Sequence, residues 1–91
     1  MPNVLLVTSY GCTPCLRVKR ILKELQAELP NITLEEVEYT SPTGAKLSME
    51  NSITYPPAVF LDGKLIAKGK VDAAGLIQAI RGNTVTIRGN S

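Results

Sequence analysis

The chain opens with NVLLVTSYGCTPCLRV, residues 3–18, in which a strand pattern runs into a pair of cysteines. The apolar, β-branched run from Asn3 to Thr8, closed by Ser9-Tyr10-Gly11, predicts a short buried strand. Cys12-Thr13-Pro14-Cys15 follows, and from Cys15 onward apolar residues recur at spacings of three and four, which predicts an amphipathic helix. The two cysteines therefore lie where a strand ends and a helix begins.

The first helix is predicted to bury one stripe and to end at a proline. The inward positions of this stripe are Cys15, Val18, Leu22, Leu25 and Leu29. Pro30-Asn31 ends the helix, because proline cannot continue it. Ile32 to Tyr39 alternates apolar and polar residues except at Glu35-Glu36. This segment predicts a second strand that could contain an irregularity at the glutamate pair.

A short helix and a hairpin are predicted next. Ser41-Pro42 is typical of a helix N-cap followed by proline at the first helical position, with the helix running toward Glu50. Its inward residues are expected to be Ala45 and Met49. Beyond it, Asp62-Gly63 tolerates the positive φ angles of a two-residue turn. The turn predicts a hairpin whose strands are Ala58 to Leu61 and Lys64 to Ala67.

The last predicted helix begins at an Asp72 N-cap and runs through Arg81. Its buried residues are expected to be Leu76, Ile77 and Ile80. Gly82 and Asn83 suit a left-handed C-terminal cap. Residues 1–82 then form the domain, and residues 83–91 form a tail that is either an edge strand over Thr84 to Arg88 or disordered.

The order of elements, βαβαββα, predicts an α/β fold with three helices. The opening βαβ unit requires a right-handed crossover, so the first two strands are parallel. The closing hairpin adds two antiparallel strands, which gives a mixed four-stranded sheet. With 91 residues, the chain has the length of one small domain rather than two.

Composition and charge exclude several classes of protein. Ten Lys and Arg against eight Asp and Glu leave a net charge of +2, too little for sequence-independent nucleic-acid binding. No apolar run approaches the roughly 20 residues of a membrane span, and Met1-Pro2-Asn3 lacks the positive start of a secretory signal. These features predict a cytoplasmic protein without nucleic-acid or membrane partners. Histidine is absent, which removes the usual general base and nitrogen metal ligand.

Cys12 and Cys15 are the only cysteines, and their position predicts redox chemistry. Unpaired amides and the helix dipole stabilise a thiolate in the first turn of a helix, so Cys12 is expected to be the acidic thiol. Arg17, Lys19 and Arg20 are expected to add positive potential. Cys15, in the apolar stripe, is expected to be shielded and to act as the resolving thiol. Pro14 fits the first turn, where the amide hydrogen it lacks would have no partner.

Other interpretations of the cysteine pair stay open. A single chain with two cysteines and no histidine cannot complete a four-ligand metal site, but two chains could share four thiolates around zinc or an iron–sulfur cluster. The cysteines could also be purely structural, or they could control a redox-dependent binding module. The order strand, Cys-x-x-Cys, helix favours thiol–disulfide chemistry without a bound cofactor or metal.

Two blocks of sequence resemble the thioredoxin superfamily, most closely its glutaredoxin branch. One is Cys12-Thr13-Pro14-Cys15 running into Leu16-Arg17-Val18-Lys19. The other runs from Pro57 through Asp62-Gly63-Lys64 and is similar to the cis proline, third strand and hairpin of glutaredoxins. The resemblance covers nearly the whole chain and implies a thioredoxin-like fold.

The resemblance also implies roles for individual residues. Cys12 would be the attacking nucleophile, Cys15 the resolving cysteine and Pro57 a cis proline beside the disulfide. The remaining residues expected to contact substrate are Tyr10, Thr13, Pro14, Tyr55 and Pro56. The implied activity is that of a monomeric dithiol–disulfide oxidoreductase, active in electron transport and cell redox homeostasis, which reduces protein or low-molecular-weight disulfides.

The identity of the electron donor stays open between glutathione and a thioredoxin reductase. Glutaredoxins typically carry a Gly-Gly pair and an Asp after the hairpin, whereas this chain has Gly69 alone and a longer path to Asp72. The Cys-x-Pro-Cys centre is closer to that of thioredoxins, yet the chain has no tryptophan. The sequence therefore lies between the two branches.

Overall fold

The computed structural model describes residues 3–85, which form four strands and three helices in the predicted order. The elements are β1 (Asn3–Thr8), α1 (Thr13–Glu28), β2 (Thr33–Glu38), α2 (Pro42–Glu50), β3 (Ala58–Leu61), β4 (Lys64–Lys68) and α3 (Ala73–Val85). Within these residues no helix combines the length and the apolar character needed to cross a bilayer.

The four strands form one mixed sheet in the order β2-β1-β3-β4. β1 pairs parallel with β2, and β3 pairs antiparallel with both β1 and β4, so the predicted α/β class and sheet are confirmed. The β1–β2 register is continuous through Leu5↔Glu35 and Leu6↔Glu36, so the irregularity expected there is wrong. β2 is an edge strand, and its two successive glutamates are simply exposed. A register shift occurs instead between Val59 and Phe60, in the pairing with β4.

Apolar clusters cover both faces of the sheet. One face carries α1 and α3, whose residues Val18, Leu22, Leu25, Leu76 and Ile80 pack with alternate sheet residues such as Val4 and Leu6. The predicted stripe of α1 is confirmed, with Leu29 half-buried at its end. The other face carries the smaller cluster of Val7, Ile53, Ala58 and Phe60, against which Leu47 of α2 packs. The sheet is therefore the middle of three layers.

α2 begins as predicted but presents a different face to the sheet. Ser41 caps it, with its Oγ accepting the Gly44 N–H at 3.0 Å, and Pro42 is its first residue. The expected burial of Ala45 and Met49 is wrong, because both are exposed, Met49 to 83%. Gly44 and Ser48 are buried in their place. A Cβ atom at Gly44 would lie 2.1 Å from the Glu38 carbonyl oxygen, so the helix backbone itself packs against the end of β2.

The hairpin between β3 and β4 is the one predicted. Asp62 has φ 50° and Gly63 has φ 84°, the positive values that a two-residue turn of this kind needs. The turn is tied to the start of β1, because the Asp62 N–H donates to the Asn3 carbonyl and Asp62 Oδ1 accepts the Asn3 N–H, both at 2.8 Å. The hairpin turn thus lies at the end of the sheet opposite to Cys12.

α3 is capped as predicted but runs further. Asp72 Oδ2 accepts the Gly75 N–H at 2.9 Å, Leu76 and Ile80 are buried, and Ile77 is half-buried. The expected end at Arg81 with a Gly82-Asn83 cap is wrong, since the helix continues through Val85. Glycine and asparagine tolerate the left-handed cap conformation without requiring it. Residues 86–91 of the predicted tail lie outside the described residues, and the domain boundary at residue 82 stays a prediction.

Candidate functional site

Cys12 is the N-cap of α1. Its backbone is extended, with φ −87° and ψ 103°, and its Sγ accepts the Cys15 N–H at 3.1 Å. The Cys12 carbonyl accepts the Leu16 N–H at 3.2 Å, which starts the helical ladder. Gly11, with φ +73°, makes the turn that leads from β1 into this cap. A sulfur therefore occupies the position where helices usually place a Ser, Thr or Asp oxygen, at the positive end of the helix dipole.

Cys12 and Cys15 form a disulfide across the first turn of α1. Their Cα atoms are 5.2 Å apart, within the ordinary range for such a bond. Cys12 is half-buried, whereas Cys15 is 2% exposed, as its place in the apolar stripe predicted. Of the two residues, Cys12 is therefore the more accessible to a partner from solution.

The segment before β3 brings the proline pair to the start of α1. The Pro56–Pro57 peptide bond is cis, and Pro57 is fully buried. The Pro57 carbonyl accepts the Gly69 N–H at 2.7 Å, which holds the chain after β4 against the proline pair. Tyr55 lies over Gly69, since a Cβ atom there would be 3.2 Å from the tyrosine hydroxyl oxygen. The segment before β3 and the chain after β4 therefore hold each other in place, and with them the proline pair.

A hollow of about 270 Å³ lies between this segment and α1. We call it the proline groove and define it by Pro14, Tyr55, Pro56, Pro57, Arg17 and Lys70. Its apolar surface comes from the prolines and the tyrosine ring, and Arg17 and Lys70 bring two positive charges to its rim. No described acidic residue lines it.

A second hollow, of about 440 Å³, opens on the β2 side of the disulfide. We call it the glutamate groove and define it by Cys12, Cys15, Tyr10, Lys19, Glu36 and Glu38. Lys19 Nζ lies 3.0 Å from Glu36 Oε1, and Thr8 Oγ1 donates to Glu36 Oε2 at 3.3 Å. Glu38 Oε1 accepts the Thr40 N–H at 2.8 Å and also the Thr40 hydroxyl. Both carboxylates are therefore held in place beside the disulfide.

The structure divides the predicted substrate-contacting residues between these hollows. Tyr10, 92% exposed, lies in the glutamate groove with the cysteines. Pro14, Tyr55 and Pro56 lie with Pro57 in the proline groove. Thr13 is exposed and lines neither hollow. The positive potential expected from Lys19 is offset by its ion pair with Glu36.

Sequence reasoning missed Glu36, Glu38 and Lys70 as residues of the site. The glutamates are at the carboxyl end of β2, and parallel pairing brings that end to the same edge of the sheet as the end of β1, which leads into Cys12. Parallel pairing was therefore the signal that could have found them. Lys70 follows β4, and no local sequence pattern marks it as a site residue. The Gly69–Pro57 hydrogen bond is the contact that brings it to the site.

The chemical groups at the site are the two sulfurs and the fixed charges around them. Within residues 3–85 there is no group of three or more His, Cys, Asp or Glu arranged to hold a metal ion. The disulfide sits above an apolar core, in which Ser48 is the one buried polar residue among those described. Such an arrangement supports redox chemistry at the Cys-x-x-Cys pair.

Comparison with solved structures finds the same fold in several thioredoxins. Thioredoxin O2 of Arabidopsis thaliana, in its oxidised state, superposes with a TM-score of 0.69 at 20% identity, over 90% of this chain and 74% of the other. Mitochondrial thioredoxin 3 of Saccharomyces cerevisiae superposes with a TM-score of 0.69 at 21% identity, over 89% of this chain and 77% of the other. For thioredoxin f2 of Chlamydomonas reinhardtii the TM-score is 0.70 at 19% identity, over 94% of this chain and 82% of the other. At these identities the likeness concerns the fold.

The sequence itself carries the family assignment. No curated protein sequence matches the chain. Residues 3–81, however, match the family described as the thioredoxin domain, a span that includes every strand, the cysteine pair, the proline pair and most of α3. The predicted superfamily is therefore confirmed, and the chain belongs to the thioredoxin domain family.

Proposed function

We propose that the protein is a dithiol–disulfide oxidoreductase that reduces protein or low-molecular-weight disulfides. The observation that carries this proposal is the placement of Cys12. Its sulfur caps α1 and accepts the Cys15 N–H at 3.1 Å, and Cys12 is half-buried whereas Cys15 is 2% exposed. A thiolate at this position gains from the helix amides and dipole, and a thiolate is the form that attacks disulfides.

In the proposed reaction the Cys12 thiolate attacks one sulfur of a substrate disulfide. The substrate bond breaks, its other sulfur leaves as a thiolate and takes a proton from water, and a Cys12–substrate mixed disulfide remains. Cys15 then loses its proton, and its thiolate attacks the Cys12 sulfur. The second substrate sulfur leaves, and the Cys12–Cys15 disulfide forms. Two electrons have passed from the protein to the substrate.

Burial of Cys15 supports the division of labour between the two sulfurs. At 2% exposure Cys15 is shielded from a bulky partner, but it is one helical turn from Cys12, with Cα atoms 5.2 Å apart. The intramolecular step therefore needs little movement of the backbone. Pro57, fully buried and at the wall of the proline groove, is proposed to pack beside the reacting sulfurs and to position the substrate chain.

Recycling requires an external reductant, for which we propose glutathione or a thioredoxin reductase. The test supplies NADPH with either glutathione and its reductase or a thioredoxin reductase, and follows NADPH oxidation in the presence of a disulfide substrate. We expect turnover with one of the two systems, and loss of turnover in Cys12→Ser. Unchanged turnover in the double variant Cys12→Ser/Cys15→Ser would overturn the proposal.

A shared metal cluster is the competing function from a different class, and the same preparation tests it. A protein that bridges an iron–sulfur cluster between two chains is brown and dimeric when purified anaerobically. We expect a colourless monomer, because Pro14, between the two cysteines, stiffens the turn that holds the thiols, and Pro57 lines the same groove as Pro14.

A further inference from the structure

The two hollows at the start of α1 carry opposite charge. The glutamate groove is lined by both cysteines, and the proline groove is lined by Pro14, which lies between them in sequence. The proline groove has Arg17 and Lys70 at its rim and no described acid. In the glutamate groove, two glutamates face one lysine, and that lysine is paired with Glu36. Glu38 is left without a cation among the described residues, and its hydrogen bonds from Thr40 fix its position. The net positive charge of the chain is therefore distributed unevenly about the reacting sulfurs.

Arg17 and Lys70 are free to meet a ligand. Both are exposed, and neither has an ion pair or side-chain hydrogen bond within residues 3–85. Other cations near the site are already engaged, since Lys19 pairs with Glu36 and Lys68 donates to the Ser52 carbonyl at 3.4 Å. The nearest acid in sequence, Asp72, uses its carboxylate to cap α3. No described acidic side chain in the proline groove therefore competes with a ligand for these two cations.

We infer that Arg17 and Lys70 select disulfide substrates that carry a carboxylate next to the reacting cysteine, on the flank that enters the proline groove. This inference rests on the proposed function and names the substrate class of the same site. Glu38 disfavours a carboxylate on the opposite flank, because like charges repel across a partly buried groove. The preference is therefore for acid on one side of the cysteine, rather than for acidic substrates in general.

Two isomeric peptides test the inference. Each carries one cysteine, with a pair of aspartates either just before or just after it, and each is supplied as its symmetric disulfide dimer. A neutral peptide with serines in place of the aspartates is the reference. The isomers have the same net charge, so the overall field of the protein attracts them equally. The rate of their reduction by the reduced protein is measured at low ionic strength.

We expect one isomer to react about three- to tenfold faster than the other, the range that two exposed ion pairs supply. Arg17→Glu/Lys70→Glu should abolish or invert that ratio. Arg17→Gln/Lys70→Gln should lower it to the smaller preference that Glu38 alone maintains. The control variant Lys23→Glu/Lys64→Glu changes the net charge by the same amount as Arg17→Glu/Lys70→Glu. Its two positions lie outside both hollows, and Lys64 is at the end of the sheet opposite to Cys12. This control should keep the ratio.

The outcomes separate the inference from the function on which it rests. Equal rates for the two isomers, or the same change of ratio in the control as in the Arg17 and Lys70 variants, would overturn the inference while leaving the reductase activity in place. Failure of the protein to reduce any of the three peptides, including the neutral one, would instead contradict the proposed function.

Discussion

At the scale of single residues, Cys12 joins a structural role to a chemical one. Its sulfur accepts the Cys15 amide hydrogen, and its carbonyl accepts that of Leu16, so the residue starts α1. A charged acceptor makes a stronger hydrogen bond than a neutral one, so reduction to a thiolate strengthens the same cap. The conformation that starts the helix also favours the reactive form of the sulfur.

Single substitutions at the two cysteines should separate attack from resolution. We expect Cys15→Ser to accumulate a mixed disulfide with a peptide disulfide, because Cys12 still attacks and no thiol remains to release the product. Cys12→Ser is the matched control and should trap little, since Cys15 is 2% exposed. Mass spectrometry of the intact proteins measures both. Stronger trapping by Cys12→Ser than by Cys15→Ser would reverse the assigned roles.

At the scale of elements, sequence patterns predicted the features that depend on neighbouring residues alone. Asp62-Gly63 and the Asp72 cap are set by local backbone geometry, and both are found as expected. The inward face of α2 was mispredicted, because burial of Gly44 depends on how closely the helix approaches the Glu38 carbonyl across the fold. The end of α3 was mispredicted because Gly82 permits a cap and a helix alike.

Glycine substitutions test this account of α2. Gly44→Ala should destabilise the protein by about 1–3 kcal/mol, because its Cβ atom would meet backbone 2.1 Å away that cannot easily move. Gly82→Ala is the matched control, since nothing lies within 4 Å of its Cβ position and it is in a helix. We expect it to be neutral or to stabilise by up to about 1 kcal/mol. Urea unfolding measures both. A neutral Gly44→Ala would show that α2 packs less closely than described.

At the scale of the whole molecule, a three-layer core supports a site made from distant parts of the chain. The charged residues described lie outside that core. The glutamate groove needs α1 and β2 side by side, and the proline groove needs the chain after β4 against the segment before β3. The sequence identified the cysteines and prolines through local motifs. It also placed Arg17 and Lys19 near Cys12, but not Glu36, Glu38 and Lys70, which reach the site through the sheet register and a loop contact.

Packing of α3 against the sheet should account for much of the stability. Ile80 is fully buried in the larger cluster, so Ile80→Ala should cost about 2–5 kcal/mol. Ile77, half-buried at the edge of the same cluster, is the matched control, and Ile77→Ala should cost clearly less. Thermal or urea unfolding of the two variants compares them. Equal losses would mean that α3 is seated differently on the sheet.

The proposed activity depends on a Cys12 thiolate that is stabilised at the start of α1. The most direct measurement is the titration of thiolate absorbance in reduced protein, made with Cys15→Ser so that a single sulfur is followed. We predict a midpoint clearly below the pKa of about 8.5 of a free cysteine. A midpoint at or above that of a free cysteine would contradict the account.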